Sequence, residues 1–394
     1  MAQTLKFGKG TWATKTGSSM AYNDQNGNYK PLPFNVERDS IATRVNKQGL
    51  IEVVGKDKLR IDYTDSAKGV ALLEPSRTNL ILNSQKLSLS PIKNGTFTDD
   101  FAISPDGTQN ATKLTATDTD PYFYQSVSFA AATYTASIYV KGIGNSIGKK
   151  FRFAIGGSSS NPKLEIPSEW SRFEYSVSMA SGSANTGLEI IDPAVVGDEV
   201  LVWGWQVEQS DFATSYIPTS GSTVTRQADV VNGSGNSEVF NDSEGVLFAD
   251  IAALSNDVTN KFMSVSNGSI SETLRIAYIG GTDIRFETAM TSGTNFQKDV
   301  QIDIVKNNKV CFQYKANEYK VFVNGFSYNV TQRSTTPTGL SELSFNRAND
   351  TNPLYGKTKE IAYYDTVLTD EELETLTSYR SLNELVTELN LNTL

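Results

Sequence analysis

The sequence contains no histidine, and its 394 residues include one cysteine, Cys311. Without histidine, the chain cannot build a Ser-His-Asp or Cys-His catalytic arrangement or the usual zinc site. A lone cysteine cannot form a disulfide within the chain, so stability must come from packing or from association of chains. Among common hydrolytic mechanisms, only a pair of carboxylates, as used in glycoside hydrolysis, stays available.

Long apolar runs and an excess of basic residues are also missing. No window approaches the roughly 20 apolar residues that a membrane span requires, and the N-terminus lacks a charged region followed by an apolar one. The net charge of -9 argues against nucleic acid, because phosphate recognition needs a basic surface. We therefore expect no membrane insertion, no nucleic-acid partner and assembly in the cytoplasm of the producing cell.

The composition is otherwise that of a folded globular protein. Apolar residues make up 38% of the chain and charged residues 20%, a balance unlike that of disordered proteins. With 394 residues, the chain is long enough for roughly two or three domains with cores of their own.

Residues 76–230 have an all-β pattern. Short runs of aromatic and β-branched residues alternate with Gly, Ser, Asn and Pro turns, which predicts a β-sandwich of jelly-roll type. The apolar run 201–207 (LVWGWQV) is predicted to be the last core strand. A period of two residues places Trp203, Trp205 and Val207 on one face of that strand.

Two stretches are predicted to lie outside the sandwiches. Residues 1–75 are rich in Gly, Asn, Asp and Lys and contain only short apolar pieces, so they bury too little to fold alone. We expect an extended segment that lies along partner chains or a docking surface; an irregular extension packed on the next domain is the alternative. The polar stretch 232–237 (NGSGNS) predicts a flexible linker over 231–243.

Residues 244–380 form a second β-rich block. The pair Asn324-Gly325 lies between two apolar runs and predicts a tight hairpin turn. Thr369 and Glu372 have the spacing of a capping box, which predicts a helix that begins after Thr369.

The C-terminal tail, residues 381–394, is predicted to be helical. Ser381 and Glu384 repeat the capping-box spacing, and Leu385, Val386 and Leu389 follow as apolar residues. Either this tail packs between subunits or it is frayed, as chain termini often are.

An ordered set of short motifs carries a resemblance over residues 5–230. The motifs are 7–13 (FGKGTWA), 42–52 (ATRVNKQGLIE), 72–80 (LLEPSRTNL), 104–108 (SPDGT), 203–208 (WGWQVE), 214–218 (TSYIP) and 225–229 (TRQAD). As a set they resemble the head-spike and tail-fibre proteins of Bacteroides-type (crAss-like) phages, which have a carbohydrate-binding-like jelly-roll domain. Residues 356–373 (GKTKEIAYYDTVLTDEEL) resemble the closing strand and helix of laminin-G and concanavalin-like lectin domains.

The resemblance implies a particular architecture and location. The fold would be all-β, with two β-sandwich domains (jelly-roll and concanavalin-like) after an extended N-terminal attachment segment. The protein would be a homotrimer on the virion surface, bound to capsid or other virion proteins through residues 1–75. Because this end lies proximal to the virion in the resembling proteins, Phe7, Trp12 and Tyr22 are the predicted attachment contacts.

Aromatic residues of the first sandwich are the candidate ligand contacts. Sugar-binding sites need aromatic faces for the apolar side of a pyranose, with amide and carboxylate groups for its hydroxyls. Trp203 matches a structural position of the resembling family and is assigned to the core, whereas Trp205 is predicted to be exposed. The predicted glycan contacts are Tyr122, Tyr124, Trp170 and Trp205. Their polar neighbours in sequence are Asp120 and Asn161, and the second block offers Tyr278, Phe286, Arg347 and Tyr355 as alternatives.

The carboxylates give no catalytic pattern. Glu189 and Asp192 are three residues apart, which places them on opposite faces of a strand. Asp118 and Asp120 are better explained as residues of a solvated turn. We therefore predict no catalytic residue, no metal and no cofactor; a carboxylate pair from distant strands and a structural calcium ion, common in such domains, stay open.

The leading hypothesis is a non-enzymatic phage virion protein. As a head fibre or spike subunit, it would dock by its N-terminus and display its sandwiches to host-surface or environmental glycan. One alternative is a receptor-binding tail fibre or a glycan depolymerase on the same scaffold. Another is a purely structural capsid decoration protein that binds no ligand.

Overall fold

The fold of the chain was analysed in a computed structural model, which describes residues 3–156, 160–191, 195–328 and 335–388. Over these residues the chain is built mainly of antiparallel β-strands arranged in several sheets, with two short α-helices near the C-terminus. The predicted all-β class with sandwich sheets is therefore confirmed. No helix among the described residues is both long and apolar enough to cross a membrane.

The strands are numbered in chain order. The first group comprises β1 (Leu5–Gly8), β2 (Thr14–Lys15), β3 (Ser18–Ser19), β4 (Tyr22–Asn23), β5 (Lys30–Pro31), β6 (Phe34–Glu37), β7 (Ala42–Val45), β8 (Ile51–Val54), β9 (Arg60–Asp62), β10 (Val70–Leu73) and β11 (Arg77–Asn79). The second group comprises β12 (Ile92–Lys93), β13 (Gly95–Ile103), β14 (Gln109–Ala116), β15 (Tyr122–Phe129), β16 (Ala132–Ile143), β17 (Lys150–Ala154), β18 (Leu164–Glu165), β19 (Ser171–Met179), β20 (Gly182–Ile191), β21 (Glu199–Glu208), β22 (Val224–Arg226) and β23 (Val230–Asn232). The third group comprises β24 (Glu244–Ala253), β25 (Lys261–Ser266), β26 (Thr273–Ile279), β27 (Asp283–Ala289), β28 (Gln297–Gln301), β29 (Asn308–Lys315), β30 (Lys320–Val323), β31 (Phe326–Ser327), β32 (Glu342–Ser344) and β33 (Gly356–Tyr364), followed by α1 (Asp370–Thr377) and α2 (Leu382–Glu388).

The described residues form two compact units, and the chain passes between them more than once. Unit 1 takes its described residues from Met1–Asp39, Val54–Pro75 and Ala228–Leu394, whereas unit 2 takes them from Ser40–Val53 and Ser76–Gln227. Each unit is therefore assembled from segments that are far apart in sequence.

Unit 1 absorbs the predicted N-terminal segment, so the expectation of a separate extended arm over 1–75 is wrong. Strand β1 lies between β33 and β4 in a ten-stranded sheet, with Leu5 opposite Tyr363. Phe7 is 1% exposed and belongs to the core of this unit. The sequence pattern missed this because the partner of β1 lies more than 300 residues further along the chain.

The predicted linker over 231–243 is also part of unit 1. Strand β23 pairs with β6, and Val231 is 1% exposed. Ser234 exchanges two backbone hydrogen bonds with Leu343, of 3.0 Å and 2.8 Å. A polar Gly- and Ser-rich stretch is therefore held here by long-range pairing, which composition does not reveal.

A buried cluster of charges joins the segments of unit 1. The Arg38 guanidinium donates to the Asp229 carboxylate at 2.8 Å, and Arg60 donates to both Asp229 and Glu74. The side chains of Arg38, Arg60 and Asp229 have no exposed surface. Because removing one partner leaves an uncompensated buried charge, we expect such a change to cost about 3–5 kcal/mol.

Local turn and cap predictions in the second block are confirmed. Asn324 (φ 51°) and Gly325 (φ 86°) form the turn between β30 and β31. The Thr369 side chain accepts from the Glu372 backbone N–H, and Glu372 accepts from that of Thr369, at the start of α1. In the tail, Ser381 accepts from the Glu384 backbone N–H at 3.1 Å before α2. Leu389 and the residues after it lie outside the described part.

Unit 2 is a sandwich of two five-stranded antiparallel sheets. The sheet called here the front sheet has the strand order β12-β15-β20-β17-β18, and the back sheet has the order β13-β14-β21-β16-β19. One hydrophobic core lies between them and contains alternate residues of the central strands, among them Phe123, Ile138 and Leu188. This arrangement leaves the other residues of each strand on the two outer faces.

A β-bulge in β21 reverses the order in which its side chains face the core. Gly204 has a φ of 69°, and the pairing register with β16 shifts at this point. Val202 before the bulge and Trp205 after it both lie in the sandwich core, whereas Trp203 packs in a separate cluster. The prediction that Trp203 and Trp205 share one face is therefore wrong, because the bulge adds a residue to the two-residue alternation.

The outer face of the back sheet is covered by the hairpin of β7 and β8. Ile51 and Tyr216 pack with Trp203 in one buried cluster. The Thr43 hydroxyl donates to the Tyr216 carbonyl oxygen at 2.5 Å, and the Ile51 backbone N–H donates to the Pro105 carbonyl oxygen at 2.9 Å. The outer face of the front sheet carries the candidate site described next.

Candidate functional site on the front sheet

A pair of tyrosines projects from the outer face of the front sheet. Along β15, Phe123 and Val127 face the core, whereas Tyr122 and Tyr124 are half-buried on the outer face. Their ring centroids lie 5.8 Å apart with planes inclined by 30°, so the rings are stacked. This pair provides an aromatic platform that is open to solvent.

The strand register places small and charged side chains beside the tyrosines. Tyr122 lies opposite Glu189, and Tyr124 lies opposite Gly187. On the far side of β20, Arg152 lies opposite Glu189 and Ala154 lies opposite Gly187. One row across the sheet is therefore aromatic and charged, and the next row is aromatic and nearly flat.

Gly187 is the floor of the site. A Cβ atom built on this residue would lie 1.8 Å from the Phe123 carbonyl oxygen, so no other residue fits without moving the strand. The missing side chain leaves a groove, called here the tyrosine groove, with a volume of about 520 Å³. Its lining consists of Tyr122, Tyr124, Ala154, Gly156, Ala184, Asn185 and Glu189.

Fixed charges surround the aromatic pair. Arg152 Nε donates to Glu189 Oε2 at 2.7 Å, and both side chains are less than one-fifth exposed. Lys93 Nζ lies 5.7 Å from the centroid of the Tyr122 ring. A hydrogen bond to Tyr122 raises the pKa of Lys93 above its ordinary value. The groove therefore combines two aromatic faces with an amide, a carboxylate and two cations.

The structure separates the four predicted glycan contacts. Tyr122 and Tyr124 lie together in the groove, whereas the Trp170 indole N–H donates to the Ile103 carbonyl oxygen at 3.0 Å, away from it. Trp205 is 0% exposed and stacks on Phe153 at 5.9 Å in the core. Its predicted exposure is wrong because the bulge at Gly204 turns it inward.

The polar neighbours predicted from sequence do not line the groove. Asp120 is an exposed residue with a φ of 51°. The Asn161 amide donates to the carbonyl oxygens of Phe153 and Ile155, both at 2.7 Å, and so holds a loop. Asn185, Gly187 and Glu189 were missed because only the pairing of β20 with β15 brings them beside the tyrosines.

The predicted attachment residues are also divided by the structure. Phe7 is a core residue and therefore cannot be a surface contact. The Trp12 indole N–H donates to the Lys68 carbonyl oxygen at 2.9 Å. Tyr22 lies in an open cleft of about 660 Å³ next to Tyr29, whose exposed fraction is 74%.

The alternative candidates of the second block belong mainly to the core. Tyr278 and Phe286 are 1% and 0% exposed, which excludes both as surface contacts. The Arg347 guanidinium lies 5.3 Å from the centroid of the Phe262 ring. Unit 1 therefore offers no counterpart of the tyrosine pair at the predicted positions.

The carboxylates show no metal-binding or catalytic arrangement among the residues that the structure describes. No group of three or more Asp, Glu, Cys or His side chains there could hold a metal ion. Glu189 faces Arg152 rather than a second carboxylate, and Asp118 lies in an exposed turn. Asp192 lies outside the described residues.

Comparison with known proteins gives no family for the chain. No protein-family model matches it, and no curated protein matches it. Among solved structures, the CBM40 domain of Ruminococcus gnavus IT-sialidase is 18% identical with a TM-score of 0.33, covering 38% of this chain and 94% of that chain.

Two further solved structures cover more of the chain at lower identity. The N-terminal CBM22-1-CBM22-2 tandem domain of Paenibacillus barcinonensis Xyn10C is 11% identical with a TM-score of 0.27, covering 75% of this chain and 100% of that chain. Domains LG4-5 of the mouse laminin α1 chain are 9% identical with a TM-score of 0.25, covering 62% and 86%. At such scores, the function has to be argued from the chain's own side chains.

Proposed function

We propose that unit 2 binds a glycan in the tyrosine groove. The observation that carries the proposal is the stacked pair of Tyr122 and Tyr124 beside the floor at Gly187. An aromatic ring packs against the apolar face of a pyranose, and the absent side chain at position 187 lets the sugar approach the sheet.

Polar groups at the rim supply the remaining chemistry. The Asn185 amide both donates and accepts, and the Glu189 carboxylate accepts from sugar hydroxyls. Because Arg152 already holds Glu189 at 2.7 Å, the carboxylate is oriented before a ligand arrives. A preorganised acceptor loses less conformational entropy on binding.

The test is a glycan array followed by calorimetric titration with each positive oligosaccharide. The double variant Tyr122→Ala with Tyr124→Ala should lose at least about tenfold in affinity for each ring removed, roughly 1.4 kcal/mol per step. The matched control is Ser126→Ala with Ser128→Ala, which changes exposed residues on the same face of β15.

Far-UV circular dichroism shows whether each variant keeps its β structure. An array without any binding, or a double variant that binds as tightly as the control, would contradict glycan binding in this groove. If reducing ends appear during the titration, the ligand is being hydrolysed, and a depolymerase activity replaces simple binding.

We further propose that the protein is a virion fibre or spike subunit, with a head fibre favoured. The ordered motifs between residues 7 and 229 support this assignment, since their resemblance is to phage head-spike and tail-fibre proteins. Virion surface location, a homotrimer and docking on capsid proteins follow from the same resemblance. Trp12 and Tyr22 remain candidate docking contacts, because neither is a core residue.

Electron cryo-microscopy of intact phage particles tests the location, and light scattering on the purified chain tests the trimer. Density on capsid capsomers that fits both units supports a head fibre. Density on the tail supports the receptor-binding alternative, and capsid density combined with an empty glycan array supports a decoration protein. A monomer in solution and no density on particles would contradict the virion role.

A further inference from the structure

A second pocket lies in unit 2, on the outer face of the back sheet. It has a volume of about 430 Å³ and is called here the Trp170 pocket. Tyr139 and Lys141 of β16 reach this face because Ile138 and Val140, which alternate with them, point into the sandwich core. The Trp170 pocket and the tyrosine groove therefore open on opposite sides of the sandwich.

Hydrogen bonds and packing hold the walls of the pocket in place. The Trp170 indole N–H donates to the Ile103 carbonyl oxygen at 3.0 Å, and the Ile51 backbone N–H donates to the Pro105 carbonyl oxygen at 2.9 Å. The Tyr139 ring packs edge-on against Trp203 at 5.6 Å. The pocket is therefore largely formed before any ligand binds.

The lining is more apolar than that of a sugar site. Aliphatic side chains form one wall, contributed by Val45, Leu50, Ile51, Ile103 and Pro105. Leu50 is 38% exposed and Ile103 is 56% exposed, so apolar surface stays open to solvent at this point. Converging apolar side chains that remain exposed are typical of ligand-binding surfaces, and they offer no partners for sugar hydroxyls.

Lys141 is the charged residue in this lining. Its ammonium group pairs with the Glu169 carboxylate at 3.0 Å, and the Glu169 side chain is 83% exposed. An ion pair with so exposed a carboxylate contributes little, and an ammonium group has three donors. A ligand anion can therefore bind Lys141 beside Glu169 or in its place.

We propose that the Trp170 pocket binds a small organic anion with an apolar ring, such as an aromatic carboxylate or sulfonate. The ring packs against Trp170, Tyr139 and the aliphatic wall, while the anionic group accepts hydrogen bonds from Lys141 Nζ. This site is independent of glycan binding, since the tyrosine groove uses the other sheet.

The probe is 8-anilinonaphthalene-1-sulfonate, titrated by its fluorescence, with uncharged N-phenyl-1-naphthylamine as its partner. Lys141→Met should lower the affinity for the sulfonate about tenfold and leave the uncharged probe unchanged. Trp170→Ala should weaken both probes, and Glu169→Gln should strengthen the sulfonate severalfold because it removes a competing carboxylate.

Two controls make the outcome decisive. Lys150→Met removes an exposed lysine from the front sheet, and the double tyrosine variant removes the other site; neither should change the titrations. If Trp170→Ala unfolds, the charge-specific effects of Lys141→Met and Glu169→Gln carry the test. Sulfonate binding that is the same in Lys141→Met as in the unmodified protein would overturn the proposal.

Discussion

The two outer faces of unit 2 use the same residue types for different purposes. On the front sheet, Tyr122 and Tyr124 are half-buried with no segment over them that prevents a groove. On the back sheet, Trp203 is completely buried beneath Ile51 of the β7–β8 hairpin. The difference shows that an aromatic residue on an outer face becomes core or binding platform according to what covers it.

Removing Trp203 should give the largest effect on this comparison. Trp203→Ala empties a buried site under the hairpin, so we expect a loss of about 3–5 kcal/mol in the free energy of unfolding. Tyr124→Ala, on the open face, should cost about 1 kcal/mol or less. Urea unfolding gives the free energies, and hydrogen exchange of peptides from β21 assigns the loss to unit 2.

The two substitutions should also separate stability from binding. Tyr124→Ala should weaken glycan binding while leaving exchange in β21 unchanged. Equal stability losses from Trp203→Ala and Tyr124→Ala would mean that the hairpin does not distinguish the two faces.

The bulge that creates this difference should be sensitive at Gly204. Its φ of 69° lies in the left-handed region, and an added Cβ would lie 3.2 Å from Tyr139 Cδ2. Gly204→Ala should therefore destabilise unit 2 by about 1–2 kcal/mol. Gly144→Ala is the matched control, because Gly144 has a φ of 55° with no atom near its Cβ position.

The difference between these two glycine variants measures the contact with Tyr139. We expect Gly204→Ala to cost more than Gly144→Ala in urea unfolding. An equal cost would show that only backbone strain matters at position 204 and that Tyr139 adjusts freely.

Local patterns predicted much of the fold because local forces determine those parts. The turn at Asn324-Gly325 needs only two residues that tolerate positive φ, and the cap at Thr369 needs only its own first turn. The outward direction of Tyr122 and Tyr124 likewise follows from alternation along one strand. These features require no knowledge of partner strands.

The remainder depends on pairing between distant segments. Strand β1 joins β33, and β6 joins β23, so neither the N-terminal segment nor the predicted linker could be placed from composition. Gly187 and Glu189 reach the tyrosines only through the register of β20. A single glycine at a bulge was enough to exchange the predicted roles of the neighbouring tryptophans.

The smallest expected effect concerns pH and the covered face alone. Burial raises the pKa of Asp106, but hydrogen bonds from Thr108 and Asn110 outweigh it and hold the pKa below its ordinary value. The Asp106 carboxylate accepts from the Thr108 backbone N–H at 2.8 Å and from Asn110 Nδ2 at 2.9 Å. This turn also carries Pro105, whose carbonyl oxygen binds the hairpin at Ile51.

A depressed pKa in the folded state fixes the sign of the effect. The stabilising contribution of Asp106 is complete above the ordinary carboxyl pKa of about 4 and is lost as the pH falls through the lower folded value. We therefore expect the difference in unfolding free energy between the unmodified protein and Asp106→Asn to shrink from pH 5 towards pH 2. Parallel stability curves over that interval would show that the ionised carboxylate does not hold the cover of the back sheet.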